Sequence, residues 1–209
     1  MELLLALDFI TIDGAKEVLQ KVGDVIDIVE IGTPFVIKEG IKAVREIKKE
    51  FPMLKVMADL KIMDAGEYET RVACEAGADI VTVLGVSDDA TIKAAVEESR
   101  KFKKSIMIDM IGVSDLKKRG LEIDKLGVDY ICVHTAFDIQ ATGKNPLEEL
   151  QQLKRVVKTA KTAVAGGIKA GTMPEIVAEQ PEIIIVGGGI TGLPDPRQAA
   201  LEIRKIMNR

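Results

Sequence analysis

Five short apolar runs in this 209-residue chain each close on a residue that can carry charge or move a proton. Asp8 follows Leu3–Leu7, and Glu30 sits near the end of Val25–Ile31. Asp59 and Lys61 close the run Lys55–Leu60, Asp109 lies at the end of Ser105–Met110, and the only histidine, His134, follows Tyr130–Val133. A single charged residue closing an apolar run is as readily the first solvated position of a loop as a functional group. Five such runs in one domain carry more weight, because parallel neighbouring strands bring those side chains to one end.

The charges at that end do not balance. Asp8, Glu30, Asp59, Asp109 and the nearby Asp64 oppose one lysine, Lys61. Two like charges about 4 Å apart repel by about 4 kcal/mol at an effective dielectric near 20. A phosphorylated substrate would add about −1.5 to −2 charges. Such a site needs either raised carboxylate pKa values or a bound cation. Carboxylates with few Cys or His partners suit a hard, oxygen-seeking ion, which points to Mg2+. His134, flanked by Cys132, Val133 and Ala136, stands where a lone histidine is more often a packed structural residue than a base. Its place facing the acids, and the titration of imidazole near neutrality, fit a proton-transfer group.

Gly166-Gly167 and Gly187-Gly188-Gly189 end two later apolar runs. A lone Gly-Gly is common in turns. Two clusters on successive late strands let backbone N–H groups approach an anion, as in the phosphate site shared by many barrels. No Arg or Lys lies within Gly187–Gly192, so amides would carry much of that binding.

The elements that must position these residues are legible as alternating periods. The remaining runs are Ile80–Leu84, Thr162–Ala165 and Ile183–Val186; fully apolar runs are what strands look like when both faces of a parallel sheet are covered. Between them the period becomes helical: Ala15, Val18, Leu19 and Val22 share a face, as do Ile41, Val44, Ile47 and Phe51, then Ile92, Ala95, Val96 and Ser99, then Leu150, Leu153 and Val157. Asn145-Pro146 and Asp195-Pro196 place a cap before a first-turn proline, and Thr172-Met173-Pro174-Glu175 has capping-box spacing. Glu75-Ala76-Gly77-Ala78-Asp79 and Lys125-Leu126-Gly127-Val128-Asp129 are near-repeats in which Gly ends a helix before a strand. Eight such units predict an α/β fold, a single (β/α)8 TIM-barrel domain over residues 1–209. An open doubly wound sheet is the alternative. Its dinucleotide-binding form needs a Gly-rich turn after the first strand, where this chain reads Ala6-Leu7-Asp8-Phe9-Ile10.

Composition narrows the function classes. With no Trp and 3% aromatics, the core must be aliphatic. A net charge of −4 argues against a nucleic-acid or anionic-membrane partner, either of which calls for clustered positive charge. Cys74 and Cys132 lack metal-like spacing and read as reduced buried thiols of a cytoplasmic protein. The start lacks the positive charge and long apolar stretch of a signal peptide, and no run approaches the ~20 apolar residues of a membrane span.

Asp59-Leu60-Lys61-Ile62-Met63-Asp64 has the form D-x-K-x-x-D and resembles the signature of the orotidine monophosphate decarboxylase suprafamily, whose barrels share a phosphate site but catalyse unlike reactions. On a strand Asp59 and Lys61 would point to one side and Leu60 to the other. The resemblance implies that Asp64 reaches into the active site of a partner subunit, giving a homodimer with shared sites. At the position of Glu30 the pyrimidine-pathway decarboxylases usually carry Lys. Glu30 with Asp59 instead resembles the metal pair of the Mg2+-dependent branch. Val133-His134-Thr135-Ala136-Phe137-Asp138-Ile139-Gln140, followed by Gly143-Lys144-Asn145-Pro146, is similar to the 3-hexulose-6-phosphate synthase family within that branch, as are Val81-Thr82-Val83-Leu84-Gly85 and Val164-Ala165-Gly166-Gly167-Ile168. The 3-keto-L-gulonate-6-phosphate decarboxylases, the alternative, tend to carry an Arg near Phe137, a Glu in place of Asp109 and an Arg in place of Gly189.

The resemblance thus implies an aldol condensation of formaldehyde with D-ribulose 5-phosphate through a Mg2+-stabilised enediolate. It implies Lys61 as a second positive group at the oxyanion and His134 as base for the C1 proton. The acid would be His134 again or a water held by Asp109. Asp8 and Asp64 would hold Lys61 and substrate hydroxyls, and the phosphate would lie on the amides near Gly167, Gly188 and Gly189.

Overall fold

The structure, a computed structural model, describes residues 1–140, 143 and 145–208; Lys144 of the Gly143–Pro146 segment lies outside them. Eight strands run β1 (Glu2–Leu7), β2 (Ile28–Ile31), β3 (Lys55–Ile62), β4 (Ile80–Leu84), β5 (Ser105–Asp109), β6 (Tyr130–His134), β7 (Lys161–Ala165) and β8 (Ile183–Val186). Each pairs parallel with its neighbours in sequence, and β8 returns to β1, so the sheet closes into the expected barrel with helices between strands.

Side-chain parity divides the core in two. From β1, Leu3, Leu5 and Leu7 point outward and join the helices in one large apolar layer, which also takes Leu19, Val44, Ile47, Ile92, Leu150 and Leu153. Leu4 and Ala6 point inward and meet Ile28, Met57, Ile80, Met107, Tyr130, Cys132, Ala163 and Ile183 inside the barrel. The helical faces read from sequence are therefore the ones buried against the sheet.

One device recurs at the N-terminal end of the barrel. Asp27, Asp79 and Asp129 each stand just before an even-numbered strand. Each accepts the backbone N–H of the preceding strand's beginning, at Leu3 (2.7 Å), Val56 (2.9 Å) and Ile106 (2.8 Å). Each also meets a cation: Arg204 on Asp27, Lys48 and Lys104 on Asp79, and Arg100 on Asp129. In the two near-repeats, Gly77 (φ 103°) and Gly127 (φ 79°) take the left-handed turn that delivers Asp79 and Asp129.

Local details differ from the sequence reading where side chains redirect the backbone. β2 begins at Ile28 rather than Val25, because the N–H groups of Val25 and Ile26 still bond to Val22 O at the end of the preceding helix. The Thr172 capping box does not form: its hydroxyl and the backbone of Lys169 bond to each other instead. Asp195 caps Pro196–Met207 as expected, accepting from Gln198 N at 3.0 Å. At the helix Leu147–Val156 the cap position is Pro146, one residue later than predicted, while the Asn145 side chain accepts from Leu147 N.

Candidate active site

The inward column of each early strand ends in a polar side chain at the C-terminal mouth. Asp8 follows β1, Glu30 lies on β2, Asp59 on β3, Thr82 on β4, Asp109 on β5 and His134 on β6. These six and Lys61 line one cavity of about 1300 Å3, whose far wall is formed by Gly166, Gly167, Gly187, Gly188 and Gly189. The convergence expected from sequence is thus present for every candidate but one. Asp64 is exposed beyond β3, accepts the N–H of Ala65 and borders a separate depression with Glu67, Tyr68 and Arg71. It takes no part in the mouth of its own chain.

Asp59 and Lys61 meet, but not through the plain alternation of a strand. The β3–β4 register steps from Ala58–Val81 to Ile62–Val83, so β3 bulges here, and Lys61 has a left-handed φ of 50°. A residue with a Cβ held there costs about 1–3 kcal/mol and persists only where its surroundings fix it. They do so through Thr82 and Thr33. Lys61 N donates to Thr82 Oγ1 at 2.9 Å, and the same hydroxyl donates to Asp59 Oδ1 at 2.8 Å. Thr33 Oγ1 lies 2.8 Å from Asp59 Oδ2 and 2.7 Å from Asp59 O, and accepts from Lys61 Nζ at 3.2 Å. Lys61 Nζ also donates to Asp59 Oδ2 and sits 3.4 Å from Asp109 Oδ2. Neither threonine was assigned a role in the sequence. The signal for Thr82 is its parity with inward-facing Ile80 within an otherwise apolar strand.

Electrostatics follow the geometry. Burial, then the charges of Asp59 and Asp8, push Glu30 well above the ordinary carboxylate range. Burial and Asp59 likewise raise Asp8. For Lys61, burial opposes the ammonium, but Asp59 and Asp109 prevail and hold its pKa above the usual lysine value. Burial would also raise Asp109, yet the hydrogen bond and charge of His134, with Lys61, hold it below its normal range. Asp109 Oδ2 lies 2.9 Å from His134 Nδ1, and its Oδ1 accepts from Ile111 N at 2.9 Å. An ionised Asp109 fixes the proton on Nδ1, which leaves Nε2 as the basic nitrogen.

The donor set fits a hard divalent cation. Among the described residues Oε2 of Glu30 is buried without a hydrogen-bond partner, which leaves that oxygen open to a cation. Among the described residues no three His, Cys, Asp or Glu side chains converge closely enough to enclose a metal alone. Mg2+ is commonly held by one or two carboxylates, with water and substrate oxygens completing its shell.

On the glycine wall, Gly166 (φ 103°) is required by close approach, since a Cβ there would strike Thr135 O. Gly188 opens a short helix, Gly188–Thr191, and faces open space. Lys169 also lines the cavity, its backbone beside Gly189; sequence spacing alone gives no reason to join it to Gly187–Gly192. Across the rim Phe9 and Phe137 meet edge to face, with centroids 5.5 Å apart.

Comparison with known proteins extends the likeness over the whole chain. Residues 1–203 match the family model described as orotidine 5'-phosphate decarboxylase / HUMPS family. A protein of Bacillus subtilis named 3-hexulose-6-phosphate synthase is 59% identical over 207 residues, covering 99% of each chain. One of that name from Staphylococcus haemolyticus is 53% identical, covering 98% of this chain and 97% of the relative. The crystal structure of 3-hexulose-6-phosphate synthase from Salmonella typhimurium superposes with a TM-score of 0.98 at 41% identity, covering 100% of this chain and 99% of the other.

Proposed function

The chain belongs to the orotidine 5'-phosphate decarboxylase / HUMPS family, and on that footing we propose that it is a 3-hexulose-6-phosphate synthase, a carbon–carbon lyase joining formaldehyde to D-ribulose 5-phosphate. The observation that carries this reading is the Asp109–His134 pair set in one cavity with Lys61 and with Glu30, whose Oε2 has no hydrogen-bond partner among the described residues. A base, a fixed cation and a metal-ready acid are what proton removal beside a ketone requires.

Glu30 and Asp59 would hold Mg2+, which when bound supplies Lewis acidity to the substrate oxygens at the reacting end. His134 Nε2 takes the C1 proton of ribulose 5-phosphate, while ionised Asp109 keeps Nδ1–H in place and steadies the imidazolium. Lys61 presents its charge to the oxygen that becomes negative in the enediolate. The enediolate C1 then attacks the carbon of formaldehyde. As the new C–C bond forms, the carbonyl π pair becomes an alkoxide, which recovers the proton from His134. In this account Asp109 orients the base, a tighter role than holding a water, since its carboxylate is engaged by His134, Lys61 and Ile111 N. Asp8 receives substrate hydroxyls. The phosphate lies on the amides of Gly167, Gly188 and Gly189, with Lys169 as its side-chain cation, so remote binding energy orients the reacting carbon.

Asp64, directed away from its own mouth, serves the cavity of a second copy in a homodimer. Cys74 and Cys132 are buried and unpaired, which supports a reducing compartment, the cytoplasm. Among the described residues no helix is long and apolar enough to cross a membrane. The test pairs two substrates. Ribulose 5-phosphate with formaldehyde should lose both reactants in equal amounts, and 3-keto-L-gulonate 6-phosphate should release CO2 far more slowly. The reverse ranking reassigns the enzyme to decarboxylation.

A further inference from the structure

We propose that Thr82 is a positioning residue for the reaction, its one hydroxyl joining the bulged backbone of Lys61 to the carboxylate of Asp59. The inference rests on the reading of Asp59 and Lys61 as groups at the reacting end. Thr82 is 2% exposed, and its hydroxyl is matched on both sides: it accepts from Lys61 N at 2.9 Å and donates its only proton to Asp59 Oδ1 at 2.8 Å. An apolar side chain here would strip Lys61 N of this acceptor and Asp59 of this donor.

The need for such a tie follows from the bulge. Between Ala58 and Ile62 the β3–β4 ladder loses register, so the segment that carries Asp59 and Lys61 departs from regular pairing with β4. Lys61 must also stay at a φ of 50°, which residues with a Cβ leave when nothing holds them. Thr82 replaces the missing ladder with a side-chain bond from the middle of β4. Thr33 grips the opposite face, with its hydroxyl 2.8 Å from Asp59 Oδ2 and 3.2 Å from Lys61 Nζ. Among the described residues only Thr82 reaches both the backbone of Lys61 and Oδ1 of Asp59. Released from it, Lys61 relaxes toward extended backbone, and its ammonium leaves the place where negative charge develops.

The experiment compares Thr82→Ser with Thr82→Ala. Both lose the γ-methyl and only Ser keeps the hydroxyl, so the pair isolates the hydroxyl from the loss of packing. With ribulose 5-phosphate and formaldehyde, Thr82→Ala should lose about tenfold to a hundredfold in kcat, the scale of a small misplacement of reacting groups. KM for ribulose 5-phosphate should stay within about threefold, because phosphate binding lies across the cavity. Thr82→Ser should keep kcat within about threefold of the parent, a rescue that a packing role would not give. Equal kcat losses in Ser and Ala, or a normal kcat in Ala, would overturn the proposal. Hydrogen exchange at the Lys61 amide, read by NMR, is independent of which reaction the enzyme performs. It should quicken by about tenfold or more in Thr82→Ala and stay slow in Thr82→Ser; unchanged exchange in Ala contradicts the tie even if the parent proves inactive toward formaldehyde.

Discussion

His134 Nδ1 lies 2.9 Å from Asp109 Oδ2, and that same oxygen stands 3.4 Å from Lys61 Nζ. One buried carboxylate therefore fixes the tautomer of His134, the proposed base, and borders the ammonium of Lys61. Asp109→Asn keeps the shape but presents the wrong hydrogen-bonding partner to Nδ1, and kcat should fall by about a hundredfold or more. His134→Ala should slow exchange of the C1 proton of ribulose 5-phosphate with solvent, followed by NMR in D2O. Exchange at the parental rate would move the base elsewhere.

Asp59 and Lys61 are joined by a direct ion pair, so under the proposed mechanism either loss should disable the site. Asp59→Ala and Lys61→Ala are each expected to reduce turnover by at least about a hundredfold, the scale of losing a preorganised charge. The double variant should be little worse than either single. Near-normal turnover in one of them would remove that residue from the mechanism.

At the opposite end of the barrel Asp79 should make stability depend on acid pH. Burial would raise Asp79, but hydrogen bonds from Lys104, Lys48 and Val56 N overcome it and hold its pKa below the usual value. A depressed folded-state pKa contributes stability above the unfolded value of about 4, and that contribution fades as pH falls through the folded value. Asp79→Ala should cost about 1.5–3 kcal/mol near neutral pH. The gap between parent and variant should begin to narrow below about pH 4, where the unfolded chain's carboxylate takes up a proton, and close as pH falls through the lower folded value. Denaturant melts at pH 7 and pH 3 test this; a gap of equal size at both contradicts it.

The glycine wall makes a paired prediction. Gly166→Ala places a Cβ against Thr135 O at a φ of 103° and should destabilise by more than about 1 kcal/mol. Gly188→Ala meets open space and should leave Tm unchanged within error. Equal melting shifts in the two variants would show that close approach is not what demands glycine at Gly166.

Much of this was legible in the chain because charge is conspicuous against apolar strands. Asp8, Glu30, Asp59, Asp109 and His134 announced the mouth, and parity along each strand turned them inward. Thr82 carries no such signal, because a hydroxyl inside Val81-Thr82-Val83 resembles ordinary strand composition. The bulge at Lys61 was hidden for another reason: left-handed backbone is usually marked by Gly or Asn, and here side-chain hydrogen bonds hold a lysine there. Asp64 shares the spacing of the motif but follows the bulge, so the chain has turned outward before reaching it. Lys169 belongs to the loop after β7, and only the folded barrel brings it beside Gly189.

The central claim is that Glu30 and Asp59 hold a divalent cation on which enediolate formation depends. It is tested most directly by C1-proton exchange of ribulose 5-phosphate in D2O without formaldehyde, measured on metal-stripped enzyme before and after adding Mg2+, in the parent and in Glu30→Gln. Exchange in the parent should vanish on chelation and return with Mg2+, while Glu30→Gln should remain slow throughout. Exchange that continues at full rate in the presence of chelator, or a Glu30→Gln variant that exchanges like the parent, would contradict it.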